Sequence, residues 1–159
     1  MISIIPAQKK DVHLILEFIR DFAKHIQSSS QVVANEESLS RTLFGTTRYA
    51  EVLLANDNDK PAGFALFFHN YSTFLGKPGI YVEDLFVRPA FRNRGIGAAL
   101  MQYLAILAIE RGCGRFEWNV LTWNEDAMRF YTRLGAEPLD HLRGFRLSGE
   151  ALNKLAGTK

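Results

Sequence analysis

The stretch from Gly79 to Arg111, GIYVEDLFVRPAFRNRGIGAALMQYLAILAIER, constrains the fold more than any other part of the chain. Ile80 to Val87 is aromatic and β-branched and stops at Pro89, so it reads as a strand. Ile96, Ala99, Leu100, Tyr103, Leu104, Leu107 and Ala108 then share one face of a long helix, while Met101, Ala105 and Ile109 make much of the opposite face apolar. That pattern predicts a helix buried on most sides. Gly112 and Gly114 can end it, and Arg115 to Leu121 alternates as another strand. A strand arriving after a helix most simply pairs parallel to the strand before it, which makes the unit a βαβ crossover. Its turn, Arg92-Asn93-Arg94-Gly95-Ile96-Gly97, is basic and glycine-containing, and two acids, Glu83 and Asp84, lie inside its first strand.

The other elements follow from local signals. Ile2 to Ile5 reads as an opening strand ended by Pro6. Ile15, Phe18, Ile19, Phe22, Ala23 and Ile26 lay one apolar stripe along a helix of about 15 to 17 residues. Gln27 to Asn35 is a polar, serine-rich loop, after which Asn35 can cap a short helix with Glu36 and Glu37 in its first turn. Tyr49 to Ala55 and Ala62 to His69 flank the turn signal Asn56 to Pro61 and read as an antiparallel hairpin. Asn124 caps a later helix that has Glu125 and Asp126 at its positive end and Gly135 just past Leu134. Residues 137 to 148 read as short strands, and Glu150 to Ala156 as a helical turn or two. The expectation is an α/β (α+β) chain: a single domain over residues 1–159, with one mixed sheet of about six to seven strands flanked by helices.

Composition closes off several classes. With 47% hydrophobic residues in 159, the chain can bury an ordinary core. The balance of 19 basic against 17 acidic residues gives no reason to expect a nucleic-acid or membrane partner, because the basic excess is local to Arg88, Arg92 and Arg94. A single cysteine, Cys113, excludes an intrachain disulfide and a cysteine zinc cluster, which fits a cytoplasmic protein. The N-terminus lacks the pattern of a signal peptide, and Ala98 to Ile109 is too short to span a bilayer.

Three groups of residues could carry chemistry. The turn at Arg92 to Gly97 follows a strand and opens a helix, so unpaired amides and a positive dipole converge where glycine lets an anion approach; the plainer account is a turn with solvated arginines. No Gly-Lys-Ser/Thr follows, which excludes a Walker loop. A dinucleotide fingerprint fits poorly, although Glu117 lies about 20 residues on, because Leu100 takes the third glycine's place and too few elements follow for a second half. Glu83 and Asp84 are adjacent in a strand, so they are expected on opposite faces. A salt-bridged or edge-exposed role suits Asp84, and function suits Glu83. Tyr131 shares a helical face with Ala127, Phe130 and Leu134, as a core aromatic would. The four histidines are scattered and suggest no metal site, and Cys113, after a helix C-terminus, is a poor nucleophile.

The chain resembles the GNAT superfamily of N-acetyltransferases, whose acyl-CoA signature, Arg/Gln-x-x-Gly-x-Gly/Ala, is matched by Arg92, Gly95 and Gly97. YVEDLFV at 81 to 87, RNRGIGAAL at 92 to 100 and WNEDAMRFYTRLGA at 123 to 136 make it most similar to the diamine (spermidine/spermine) and thialysine acetyltransferase branch. The resemblance implies acetyl-CoA as cofactor, with Leu85, Phe86 and Val87 beside its pantetheine and Arg92, Asn93, Arg94, Gly95, Ile96, Gly97 and Ala98 around its diphosphate. Asn124, Glu125, Asp126 and Ala127 would touch it as well. It further implies Glu83 as the base, directly or through water, and Tyr131 as the acid that protonates the departing thiolate; no acyl-cysteine forms. A base is needed because a primary amine with a pKa of about 10.4 is mostly protonated near neutrality.

The acceptor is expected to be a small primary amine held near Glu83, Asp84, Glu117, Trp118, Asn119 and Arg143. Polyamine enzymes of the branch carry acids where this chain has His25-Ile26 and Arg143, so a lysine-like amino acid fits better, with Arg143 on its carboxylate. The readings set beside this one are a protein lysine or N-terminal acetyltransferase and a non-catalytic acyl-CoA sensor. The branch also implies a homodimer.

Overall fold

Asn58 and Asp59 take left-handed backbone conformations, φ 47° and 62°, and this two-residue turn folds the chain back on itself. It joins β2 (Glu51–Asp57) to β3 (Lys60–Ser72), and a second hairpin joins β3 to β4 (Lys77–Val87). With β1 (Ile2–Pro6) and β5 (Arg115–Trp118), they make one five-stranded sheet in the order β1-β2-β3-β4-β5. The first three pairings are antiparallel and β4 to β5 is parallel, as the crossover requires. These features come from a computed structural model that describes residues 1–158.

The chain divides into two compact units, Met1–Asn119 and the residues from Val120 on. The first holds the sheet with α1 (Val12–His25), α2 (Glu36–Phe44) and α3 (Ile96–Glu110). One core packs α3 against the sheet through Ile96, Leu100, Leu104, Ile80, Val82, Ala65 and Phe67. The other packs α1 and α2 on the opposite face through Ile15, Phe18, Leu39, Leu43, Phe64 and Phe86, where Phe18 and Phe64 stack at 5.3 Å. Burying each large side chain contributes about 1.5–3 kcal/mol, which fixes the sheet between the two layers.

Caps fall where local chemistry puts them. Asn35 accepts from the Ser38 amide at 2.8 Å and starts α2, and Gly112, at φ 66°, follows the last turn of α3. Three expectations are corrected. The sheet has five strands rather than six or seven, because residues 137–148 form no strand and are exposed. β5 ends at Trp118 instead of Leu121. The helix α3 is covered less fully than expected: Met101 is buried and Ala105 half-buried, but Ile109 is 80% exposed and Ile106 is 50% exposed. In the second unit, α4 (Glu125–Arg133) and α5 (Gly149–Leu155) flank that irregular segment.

Candidate active site

The decisive local feature of β4 is a bulge. Val82 pairs with Phe67 and Asp84 with Leu66, so Glu83 is an extra residue without a partner across the ladder. Side-chain parity confirms the shift. Ile80 and Val82 belong to the core under α3, and so do Leu85 and Val87, while Phe86 belongs to the core under α1. The one inserted residue makes two successive positions face the same way, and Glu83 and Asp84 share the face turned from α3. The expectation that neighbouring acids diverge fails here because the bulge breaks the two-residue alternation.

The bulge also marks where the sheet opens. Strand β5 pairs with Gly79 to Val82 and goes no further, so Glu83 to Val87 are hydrogen-bonded to β3 alone. Among the described residues, no strand occupies their other edge.

Glu83 is exposed, whereas Asp84 is half-buried, across from Leu66 and one alternation from Phe86. Asp84 has no hydrogen bond or ion pair among the described residues, so the salt-bridged account is set aside. Burial first, and the Glu83 charge second, push its carboxyl up to about 6. On the same face, Tyr81 has its phenol raised by burial and by Glu83 and Glu117. Glu117 lies opposite Tyr81 across β4 and β5. Its carboxylate accepts from Asn70 Nδ2 at 2.8 Å and lies 2.9 Å from Arg115 Nε, an ion-pair contact without hydrogen-bond alignment. The charge of Glu117 is thus largely committed within the fold. Trp118 packs toward α3 instead, its ring 5.0 Å from Phe116, and Asn119 is exposed just past the strand.

At the end of β4 the arginines are held by the protein itself. Arg88 donates to Asp21 at 2.8 Å and to Glu17 at 3.3 Å, and lies over the Phe18 ring. Arg92 donates from Nε to the Val87 carbonyl at 3.0 Å, and Arg94 pairs with Asp57 at 3.0 Å. What remains open is backbone. Asn93 and Gly95 have φ 61° and 83°, and Gly95 caps α3. The Arg92 amide bonds Pro89 O and the Ala99 amide bonds Gly95 O, but the amides from Asn93 to Ala98 have no acceptor among the described residues. A row of six donors at the positive end of a helix suits a diphosphate, so the residues present fit acyl-CoA.

The second unit holds the other candidates. Asn124 accepts from the Ala127 amide at 3.2 Å and starts α4, and Arg129 ties Glu125 and Asp126 at 3.3 Å and 2.6 Å. Tyr131 is half-buried with its phenol pushed up by burial, and its ring lies 5.3 Å from Phe130. Arg143 lies in the exposed irregular segment, with no ion pair or hydrogen bond among the described residues. Sequence reasoning missed Asn70, and it named His25 only as a position where the branch carries an acid. His25 stands 5.9 Å from the Phe86 ring, its imidazole lowered by burial and by Arg92. Among the described residues, no helix is long and apolar enough to cross a membrane.

A parallel strand pair that opens beside a helix N-terminus rich in free amides, with acids at the opening, fits the acyltransferase class that the sequence resembles. The comparisons agree. The acetyltransferase (GNAT) family profile matches residues 17–136, which takes in parts of both units. The chain is 36% identical over 167 residues to a thialysine N-epsilon-acetyltransferase of Bos taurus, covering 98% of each. It is 45% identical over 94 residues to the L-ornithine N5-acetyltransferase NATA1 of Arabidopsis thaliana, covering 59% of this chain and 41% of that one. An integron cassette protein from the mobile metagenome of V. cholerae superposes with a TM-score of 0.83 at 29% identity, covering 99% and 98%. The chain belongs to the GNAT acetyltransferase family, and it is an N-acetyltransferase.

Proposed function

We propose that the protein moves the acetyl group of acetyl-CoA to the side-chain amine of a small, lysine-like amino acid or diamine, by direct attack in a ternary complex. The observation that carries this reading is the sequence of features along one strand: acids at the bulge, an open edge at Leu85 to Val87, then the free amides of Asn93 to Ala98. Acetyl-CoA supplies an activated thioester acyl group. The amides of Asn93 to Ala98 hold its diphosphate, and the backbone of Leu85 to Val87 aligns its pantetheine, with Asn124 to Ala127 as further contacts. Glu83 attracts the ammonium and serves as base. Tyr131, whose proton is held more tightly because of burial, protonates the departing sulfur.

The substrate class rests on two relatives whose names both specify a side-chain amine of an amino acid. The unpaired guanidinium of Arg143 supports it, since a carboxylate is its natural partner. Glu117, Trp118 and Asn119 complete the proposed acceptor side, with Glu117 acting through the Asn70 and Arg115 network. We further propose one catalytic domain over residues 1–159, a homodimer and a cytoplasmic location. The test is acetyl-CoA turnover, read by free thiol, over lysine analogues, ornithine, diamines, polyamines and aminoglycosides. Turnover is expected with the diamino acids; acetylated peptides with no acetylated small amine would reject the reading.

A further inference from the structure

We propose that Glu83 and Asp84 act as one proton-accepting pair, in which Glu83 docks the acceptor ammonium and, as the base, passes on the proton that Asp84 then keeps. This rests on the acetyl-transfer reading above and assigns Asp84 a catalytic role rather than a binding one.

The bulge makes the pair possible. In a regular strand, Asp84 would point into the core beneath α3 among Ile80, Val82 and Ile96; the extra residue turns it to the face that Glu83 occupies. On that face its neighbours along and across the strands are Tyr81, Phe86 and Leu66, and no cation of the first unit serves it. Arg88 is committed to Glu17 and Asp21, Arg92 to the Val87 carbonyl, Arg94 to Asp57 and Arg115 to Glu117. The remaining titratable groups on this face are Tyr81 and Glu83 on β4, Glu117 on β5 and, across Phe86 from α1, His25. A half-buried carboxylate in apolar and like-charged surroundings is stabilised by gaining a proton.

The two acids differ in environment, which divides the labour between them. Glu83 is exposed, where an incoming cation can reach it. Asp84 titrates at about 6, closer to an amine than an ordinary carboxylate is, which makes it the better acceptor. The balance is as follows. One N–H bond of the ammonium breaks and an O–H bond forms on Asp84, by way of Glu83. The freed nitrogen lone pair bonds the acyl carbon while the carbon–sulfur bond breaks. Tyr131 gives its proton to sulfur and regains one from the nitrogen as the amide forms. Asp84 returns its proton to solvent when product leaves, so each turnover releases one proton.

The experiment is kcat/KM against pH from 5 to 9 on the full chain with acetyl-CoA and the best acceptor of the panel. It compares the wild type with Asp84→Asn, Asp84→Glu and Glu83→Gln. The wild type should lose activity below about pH 6. Asp84→Asn should lower kcat about 100-fold or more and displace that acid limb by about one pH unit or more, with coenzyme A affinity unchanged, and Asp84→Glu should recover much of the loss. Asp84→Asn with kcat within about threefold of wild type and the same limb overturns the proposal. Should that variant not fold, Glu83→Gln decides: removing the like charge should move the limb to lower pH, and an unmoved limb overturns the proposal. A wild type that acetylates no amine removes the underlying reading, whereas an active wild type indifferent to Asp84 removes only the pair.

Discussion

The two halves of β4 are built from the same kinds of residues and do opposite things. From Gly79 to Val82 the strand is paired on both edges, and Ile80 and Val82 are buried beneath α3. From Glu83 to Val87 it keeps one neighbour, carries two acids on a single face and ends near a turn with six unpaired amides. One inserted residue separates scaffold from site. Binding and acid–base groups need unsatisfied valences, and the fold confines them to the half where no second strand satisfies them.

If the outer half is the catalytic one, Glu83→Gln and Tyr131→Phe should cause the largest losses, kcat falling about 10²- to 10⁴-fold in steady-state assays with the fold intact by circular dichroism. Full activity in both would erase the contrast. In the inner half, Ile80→Ala should destabilise by about 2–5 kcal/mol in urea denaturation, while the chain that still folds keeps its kcat. Asp84→Asn sharpens the contrast by reversing the usual sign. A carboxyl that titrates near 6 when folded and about 3.9 when unfolded gains its proton on folding. Its penalty is absent below pH 3.9, grows through pH 6 and is complete above, so the variant should be more stable at pH 8 by at most about 3 kcal/mol and no more stable at pH 3.5. Thermal denaturation at the two pH values checks this, and equal shifts at both would contradict it.

Gly95→Ala should weaken coenzyme A binding about tenfold by calorimetry, because φ 83° strains any side chain even though a Cβ there meets no atom within 4 Å. Asn70→Ala should have the smallest effect, about 1 kcal/mol of stability, with a modest rise in the acceptor KM as Glu117 loses its partner.

Features set by short-range chemistry were legible in the sequence. The Asn35 and Asn124 caps, a turn within Asn56 to Pro61 and the helix-ending glycines at 112 and 135 each follow from a few neighbouring atoms. The bulge was not, because register belongs to the β3–β4 pair and Glu83 looks like any strand residue until Phe67 and Leu66 are placed opposite its neighbours. Residues 137–148 read as short strands in the sequence, yet no strand pairs with them in the described structure, and propensity alone cannot hold an unpaired strand. Ile109 misled for a related reason: periodicity shows that a residue is apolar, not what covers it, and of the second face Met101 is buried while Ile109 is exposed. Motif matching named the arginines of the turn, where Arg94 pairs with Asp57 and Arg92 donates to the Val87 carbonyl, but it did not name the unpaired amides beside them.

The most direct test of the account is an amide NMR titration of the full chain with coenzyme A. The account predicts that the largest shift changes fall on Asn93 to Ala98, followed by Leu85 to Val87, with Ile80 and Val82 little affected. Saturable binding that leaves Asn93 to Ala98 unperturbed, or that centres on another part of the chain, would contradict it.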